Sequence, residues 1–311
     1  MRIAIVGVGA MGAVYAGLLG RAGNEVWAID VDEEHVAAMR ERGLRVEGAS
    51  GDSTVAVHAT TDAGEAGEVD LVVIATKAHH VQDAARAAAP LLGDDTLVLS
   101  IQNGLGSADR VAAVLGEDRV AMGVVGGFGA SIRGPGHVHH HGLELVRLGE
   151  RRGPVSPRIE RVADVWRAAG FTVNTYDDVH KLVWEKLICN VAFSGPCAMT
   201  GLTIQGMLDS PSGWWVSSSC AEEAYAVARA MDVDLGFDDA SAYVRAFGEK
   251  IPGARPSMLL DVLAGRRTEV DVINGAIGPL AHEHGVPAPV NETVTALVRV
   301  KDDQAGQGHG G

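Results

Sequence analysis

Residues Arg2–Val6 (RIAIV) form a β-branched run that leads straight into Gly7-Val8-Gly9-Ala10-Met11-Gly12, and an Ala- and Leu-rich helical stretch follows to about Ala22. Strand, glycine turn and helix in that order leave few folds open. Gly23-Asn24 closes the helix with a left-handed cap signal, and Glu25–Ile29 (EVWAI) reads as the next strand, ending at Asp30. That completes a βαβ unit of about 30 residues. Within it Gly7 permits the tight turn, Gly9 lets the backbone approach a pyrophosphate, and Gly12 allows close helix–strand packing. Ala10 and Met11 fall in the first helical turn, whose N–H groups and positive dipole end face the phosphates. Asp30 closes the second strand, where an acid accepts hydrogen bonds from the adenosine ribose hydroxyls and repels a 2′-phosphate. NAD is thereby favoured over NADP, which stays open as a second cofactor. In a chain with 40 glycines the triplet alone is weak evidence, and a purely structural glycine turn is the alternative.

At 311 residues the chain is about twice a typical domain, so two cores are expected. Apolar runs at 69–75 and 96–101 alternate with helical segments near 81–92 and 108–115, the pattern of a parallel sheet covered on both faces. From 120 to about 148 the chain turns glycine-rich and β-like, with a turn at Gly134-Pro135-Gly136, and 174–176 adds a last edge. Helical patterns then take over at 180–198, 217–231, 238–250, 257–264 and 268–284. The expected fold class is an α/β N-terminal Rossmann-type domain with a parallel sheet (1–176) followed by an all-α C-terminal domain (177–302). Residues 303–311 are polar and glycine-rich, and they read as a disordered tail.

The net charge of −14 repels polyphosphate backbones and anionic lipid, which excludes nucleic acid and membrane surfaces as expected partners. No apolar stretch reaches the roughly 18 residues of a membrane helix. The N-terminal apolar run imitates a signal peptide, but its glycines are better explained by the nucleotide turn. Cys189, Cys197 and Cys220 form no CxxC pair, which fits a reducing cytoplasm and implies no metal site. In His137-Val138-His139-His140-His141, strand alternation splits the side chains between two faces, and the sequence places no carboxylate beside them. The run reads as a β-ribbon surface.

Lysine occurs only at positions 77, 181, 186, 250 and 301, while arginine is the default cation. A lysine suits proton transfer because a desolvated ammonium shifts its pKa toward neutrality and a guanidinium does not. Lys186 lies in a predicted helix with Asn190 and Ser194 at i+4 and i+8, so an ammonium, an amide and a hydroxyl line one wall. The alternative is an ordinary snorkelling surface lysine. Asn103 follows a predicted strand at its C-terminal end, where ligands bind in open α/β sheets, although Asn-Gly is also a common turn. Glu269 opens a predicted helix and reads equally well as a first-turn carboxylate.

Five ordered segments, GVGAMG, ATKAHH, SIQNGLG, KLVWEKLICNVAFSGPCAMTGL and SMLLDVLAGRRTEVDVINGAI, make the chain resemble ketopantoate reductases (2-dehydropantoate 2-reductases) from end to end. The resemblance implies a helical domain of the 6-phosphogluconate dehydrogenase C-terminal type, Lys186 as general acid, and Glu269 holding Lys186 and the substrate hydroxyl. It also implies cofactor contacts from Lys77 and Asn103 and substrate contacts from Asn190 and Ser257, the latter near the carboxylate. Two departures stand out. Family members that use NADPH carry an arginine just beyond the second strand, where this chain has Asp30-Val31-Asp32, and Ser194 replaces the family's usual asparagine. The implied activity is hydride transfer from a nicotinamide cofactor, NADH before NADPH, to the C2 carbonyl of a small 2-oxo acid, as in related NAD-dependent D-2-hydroxyacid dehydrogenases. Alternatives are a true ketopantoate reductase of pantothenate synthesis, a non-catalytic NAD(H)-sensing protein, and an opine-type dehydrogenase for which His180 and His282 are candidates by default. The sequence leaves a homodimer open.

Overall fold

The computed structural model describes residues 1–127, 129–142 and 145–307, and the chain divides into two compact units. The first comprises Met1–Gln102 and Gly106–Val179; the second comprises Asn103–Leu105 and the chain from His180 onward. The division falls three residues beyond the boundary expected at 176, and the second unit includes a three-residue loop from within the first unit's sequence.

The first unit opens with β1 (Arg2–Val6), α1 (Ala10–Arg21), β2 (Glu25–Ile29), α2 (Glu33–Arg42), β3 (Leu44–Gly48), β4 (Ser53–Val55) and β5 (His58–Thr60). It continues with β6 (Val69–Ile74), α3 (Val81–Ala87), β7 (Leu92–Ser100), α4 (Ser107–Leu115) and β8 (Val120–Val125). The last elements are β9 (Gly129–Gly134), β10 (His137–Gly142), β11 (Leu145–Glu150), α5 (Pro157–Ala168) and β12 (Thr172–Thr175). Eight strands form one sheet in the order β12-β11-β8-β7-β6-β1-β2-β5. The six from β8 to β5 are mutually parallel, whereas β11 runs antiparallel to β8 and carries β12 parallel to itself, so the sheet is mostly rather than wholly parallel.

The near-continuous apolar character of these strands follows from burial on both faces. Ile3 and Ile5 enter the core on one side of the sheet with Leu71, Val73, Leu97 and Leu99, while Ala4 and Val6 enter the other with Val72, Ile74 and Val98. Each face is closed by helices, as parallel strands require.

A second sheet, β4-β3-β10-β9, was not anticipated, because the parallel β3–β10 pair joins segments about 90 residues apart. Helix α1 packs on both sheets, so tightly that a Cβ at Gly17 would lie 2.4 Å from Val46. The histidine run alternates as expected, but a carboxylate does stand beside it. Glu47 on β3 lies 3.1 Å from His137 Nε2 and 3.3 Å from His139 Nδ1, while His140 is fully buried. These contacts, His139 foremost, hold the Glu47 carboxyl below its usual range. Among the described residues no group of three or more His, Cys, Asp or Glu is arranged to hold a metal.

The second unit is helical: α6 (Val179–Thr200), α7 (Ile204–Asp209), α8 (Pro211–Ala230), α9 (Ala240–Lys250), α10 (Ser257–Leu263), α11 (Asn274–His284) and α12 (Pro289–Gln307). Buried amides tie it together. Asn274 donates to the Val191 carbonyl at 2.9 Å and to Asn291 Oδ1 at 3.0 Å, and Asn291 donates onward to the Cys220 carbonyl at 3.0 Å. Glu223 accepts from the Val290 and Asn291 N–H groups, both at 2.8 Å, and so satisfies orphan donors at the start of α12. No helix among the described residues is long and apolar enough to cross a membrane.

Two expectations are corrected here. Residues 268–284 are not one helix: Glu269 precedes a 3-10 turn at Val270–Val272, and Ile273, with φ −107° and ψ −100°, breaks the chain before α11. Nor does the chain become a tail at 303, because α12 continues to Gln307 and Asp302 within it is anchored to Thr268. The rest of the expected tail, 308–311, lies outside the described residues.

Candidate functional site

In the first unit the glycine turn has the shape its sequence foretold. Gly7 sits at φ +92°, its N–H donates to the Ile29 carbonyl at 2.8 Å, and a Cβ there would lie 2.7 Å from the Thr76 nitrogen. Gly12 presses on Gly7, since a Cβ would lie 2.0 Å from the Gly7 carbonyl oxygen. A Cβ on Gly9, by contrast, would meet nothing within 4 Å, so the open space lies where a pyrophosphate needs it. Gly9, the N-cap of α1, offers no side chain to accept from the first-turn N–H groups of Ala10, Met11 and Gly12, which suits that turn to an anionic acceptor.

Asp30 directly follows β2, as expected, and its carboxylate is engaged with the glycine turn. Its Oδ2 accepts the Val8 N–H at 2.6 Å and its Oδ1 accepts the Asp32 N–H at 3.0 Å, so the carboxylate braces the glycine turn. Each oxygen keeps a further acceptor site. The Asp30-Val31-Asp32-Glu33-Glu34 turn that follows carries four acids and no base. Thr76 was missed by the sequence reading. Its methyl and backbone stand against Gly7 two residues past β6, next to half-buried Lys77, and its buried hydroxyl has no hydrogen-bond partner among the described residues. An uncapped helix N-terminus, open space at Gly9, a ribose-type acid and an orphaned hydroxyl together fit a dinucleotide.

In the second unit Lys186 and Asn103, 83 residues apart, come together: Lys186 Nζ donates to Asn103 Oδ1 at 2.7 Å. The loop that carries Asn103 is held by backbone. Gly104 has φ +79°, a Cβ on it would lie 2.1 Å from the Val272 carbonyl oxygen, and Leu105 donates its N–H to that same oxygen at 2.9 Å. Val272 belongs to the 3-10 turn that Glu269 precedes, and Glu269 is only 7% exposed. One short turn therefore carries the glutamate and holds the loop of the asparagine.

On α6, Asn190 is half-buried one turn beyond Lys186, and Ser194 is buried at 4% exposure two turns beyond. Ser257 is exposed as the first residue of α10. Cys189 and Cys197 share α6, and burial pushes each thiol up to about 12, so neither supplies a thiolate. Gln102 was also missed. It accepts from Ser100 Oγ at 2.6 Å and donates to the Ile74 carbonyl, which stiffens the end of β7.

The family model for ketopantoate reductase PanE/ApbA matches residues 3–153, and that for the ketopantoate reductase PanE/ApbA C-terminal region matches residues 178–302. A 2-dehydropantoate 2-reductase of Archaeoglobus fulgidus is 32% identical over 298 residues, covering 96% of this chain and 97% of the relative. Among solved structures, a PanE/ApbA family ketopantoate reductase from Ralstonia eutropha JMP134 superposes with a TM-score of 0.90 at 37% identity, covering 98% and 99% of the two chains. A D-mandelate dehydrogenase solved with NADH and anilino(oxo)acetate gives 0.88 at 26% identity, with coverage of 98% and 99%. With both halves matched and the relatives covered over nearly their whole length, the chain belongs to the ketopantoate reductase family.

Proposed function

We propose that this protein is an NADH-dependent reductase that converts a small 2-oxo acid to the 2-hydroxy acid, with Lys186 as proton donor. The observation that carries the proposal is the 2.7 Å hydrogen bond from Lys186 to Asn103. That bond orients, on a rigid helix, an ammonium that carries three N–H donors in all. A reduced nicotinamide, when bound, supplies the hydride. As C2 of the substrate takes it, negative charge develops on the carbonyl oxygen, and Lys186 stabilises that charge and passes a proton to it, closing the hydroxyl. In the oxidative direction neutral Lys186 takes the proton back. Glu269 holds the lysine and the substrate hydroxyl, Asn190 positions the substrate, and Ser257 donates to its carboxylate. Gly7, Gly9, Ala10, Met11 and Gly12 hold the pyrophosphate, and Lys77 and Asn103 complete the cofactor contacts.

NADH is favoured by Asp30 and the acids after it, since a 2′-phosphate would enter a field of four carboxylates. The solved relative with NADH and anilino(oxo)acetate supports both the cofactor and the 2-oxo acid class. A second reading, 2-dehydropantoate 2-reductase itself, is favoured by the names of relatives such as that of Archaeoglobus fulgidus. Oxidation of NADH and NADPH in parallel with ketopantoate, 2-oxoisovalerate, phenylglyoxylate and 2-oxoisocaproate separates the two. Preference for ketopantoate selects the second reading, and no turnover with any of the four removes the first.

Two substitutions sharpen this. Asp30→Ala is expected to reduce the NADH-over-NADPH ratio of kcat/KM by roughly tenfold or more, and an unchanged ratio would remove the ribose contact. Ser194→Asn is expected to raise kcat/KM for ketopantoate by about tenfold if the hydroxyl-bearing end of that substrate is read here, because an amide restores a lost hydrogen-bond partner. A neutral result would place the specificity elsewhere in the pocket.

A further inference from the structure

The turn that carries Glu269 is clamped to α12 on both sides. Before it, Thr268 donates its N–H to Asp302 Oδ1 at 3.1 Å and its hydroxyl to Asp302 Oδ2 at 2.8 Å. The Thr268 hydroxyl in turn accepts the Val270 N–H at 3.3 Å, so one side chain spans the glutamate from both neighbours. After it, Asp271 accepts from Arg299 at 2.8 Å, and Arg267 lies 3.6 Å from its other oxygen. Thr268 is 3% exposed, which makes the Asp302 contact a partly buried, charge-assisted one rather than a surface pair. At the far end of the same turn the Val272 carbonyl fixes Leu105, two residues from the asparagine that holds Lys186.

We propose that Asp302 is a positioning residue for the reaction: through Thr268 it sets the backbone at Glu269 and, along the same turn, the loop that presents Asn103 to Lys186. The inference rests on the reading of Glu269 as the residue that holds the lysine and the substrate hydroxyl. Asp302 itself touches neither substrate nor cofactor. Its effect arises because a reacting geometry is steep in distance, and misplacement by about 1 Å costs up to about 100-fold.

The test uses the full-length chain with NADH and its best 2-oxo acid, and follows kcat, KM and the pH profile of kcat/KM for Asp302→Ala, Thr268→Val, Thr268→Ser, Glu269→Gln and the Asp302→Ala/Glu269→Gln pair. Asp302→Ala and Thr268→Val are expected to lower kcat by about 10- to 30-fold with the KM for NADH unchanged and the pH limb of the proton donor displaced. Thr268→Ser restores the wild-type profile, since it keeps the hydroxyl. In the Glu269→Gln background the further loss from Asp302→Ala shrinks to about twofold or less, because both act through one group. Should Asp302→Ala unfold the protein, Thr268→Val carries the same comparison, as it leaves the Thr268 N–H bond in place. Equal losses in both backgrounds with an unmoved pH profile would overturn the positioning role while leaving Glu269 in place. A fully active Glu269→Gln would overturn the reading of Glu269 and the proposal with it.

Discussion

Lys186→Ala is expected to lower kcat by about 1,000-fold while the affinity for NADH stays within a factor of about two, because the substitution removes the proton donor and the charge that faces the developing alkoxide. The two contributions fall on one side chain, and general-acid catalysis alone accounts for roughly 100- to 10,000-fold in enzymes. Lys186→Arg is the more discriminating variant. It keeps a cation able to reach an acceptor, but a guanidinium does not release its proton near neutral pH. Its kcat is therefore expected to stay low while the KM for the 2-oxo acid recovers. Steady-state kinetics together with an NADH fluorescence titration check both. A kcat within threefold of wild type for Lys186→Ala would end the general-acid assignment.

Gly12→Val is expected to abolish NADH binding and to destabilise the first unit by about 2–3 kcal/mol, because the new side chain enters a space already filled by backbone. The Cβ position lies 2.0 Å from the Gly7 carbonyl oxygen, and backbone on both sides cannot yield without moving α1 off β1. Gly9→Ala is the control. Its Cβ would meet nothing within 4 Å, so stability should change by no more than about 0.5 kcal/mol while NADH affinity drops roughly tenfold or more. Thermal unfolding read beside NADH titration separates the two effects. A Gly9→Ala protein that binds NADH as tightly as wild type would mean that no phosphate approaches the turn there.

The contrast between these glycines shows what kind of information each level carries. That Gly7, Gly9 and Gly12 form a nucleotide-type turn was legible because strand, turn and helix are contiguous and the apolar period changes within a few residues. The three roles differ, however, by which neighbour a Cβ would meet, and for Gly7 that neighbour is Thr76, distant in sequence. The place of Asp30 at the end of β2 was legible for the same local reason. Its bond to Val8 was not, since a carboxylate's choice of donor depends on how the turn folds back.

Helical spacing on α6 likewise suffices to put Lys186, Asn190 and Ser194 on one wall, because 3.6 residues per turn is a property of the backbone alone. Periodicity failed where the backbone departs from that repeat. A helical pattern over 268–284 conceals the break at Ile273, and with it the 3-10 turn that gives Glu269 its place. A polar, glycine-containing stretch read as a tail from 303, yet α12 runs on to Gln307 because Asp302 finds Thr268 34 residues upstream and Glu223 caps its beginning.

The amino-acid sequence by itself determined the two-part architecture, the glycine turn, the acid after β2 and the lysine on its helix, since each is written in local propensity, period and spacing. Tertiary structure alone decided that Asn103 accepts from Lys186 across 83 residues, that the turn at Glu269 holds the asparagine's loop, and that Asp302 anchors that turn. The physical reason is that hydrogen bonds and close packing act over a few ångströms of space with no regard for separation along the chain. They become legible only when the fold has brought their partners together.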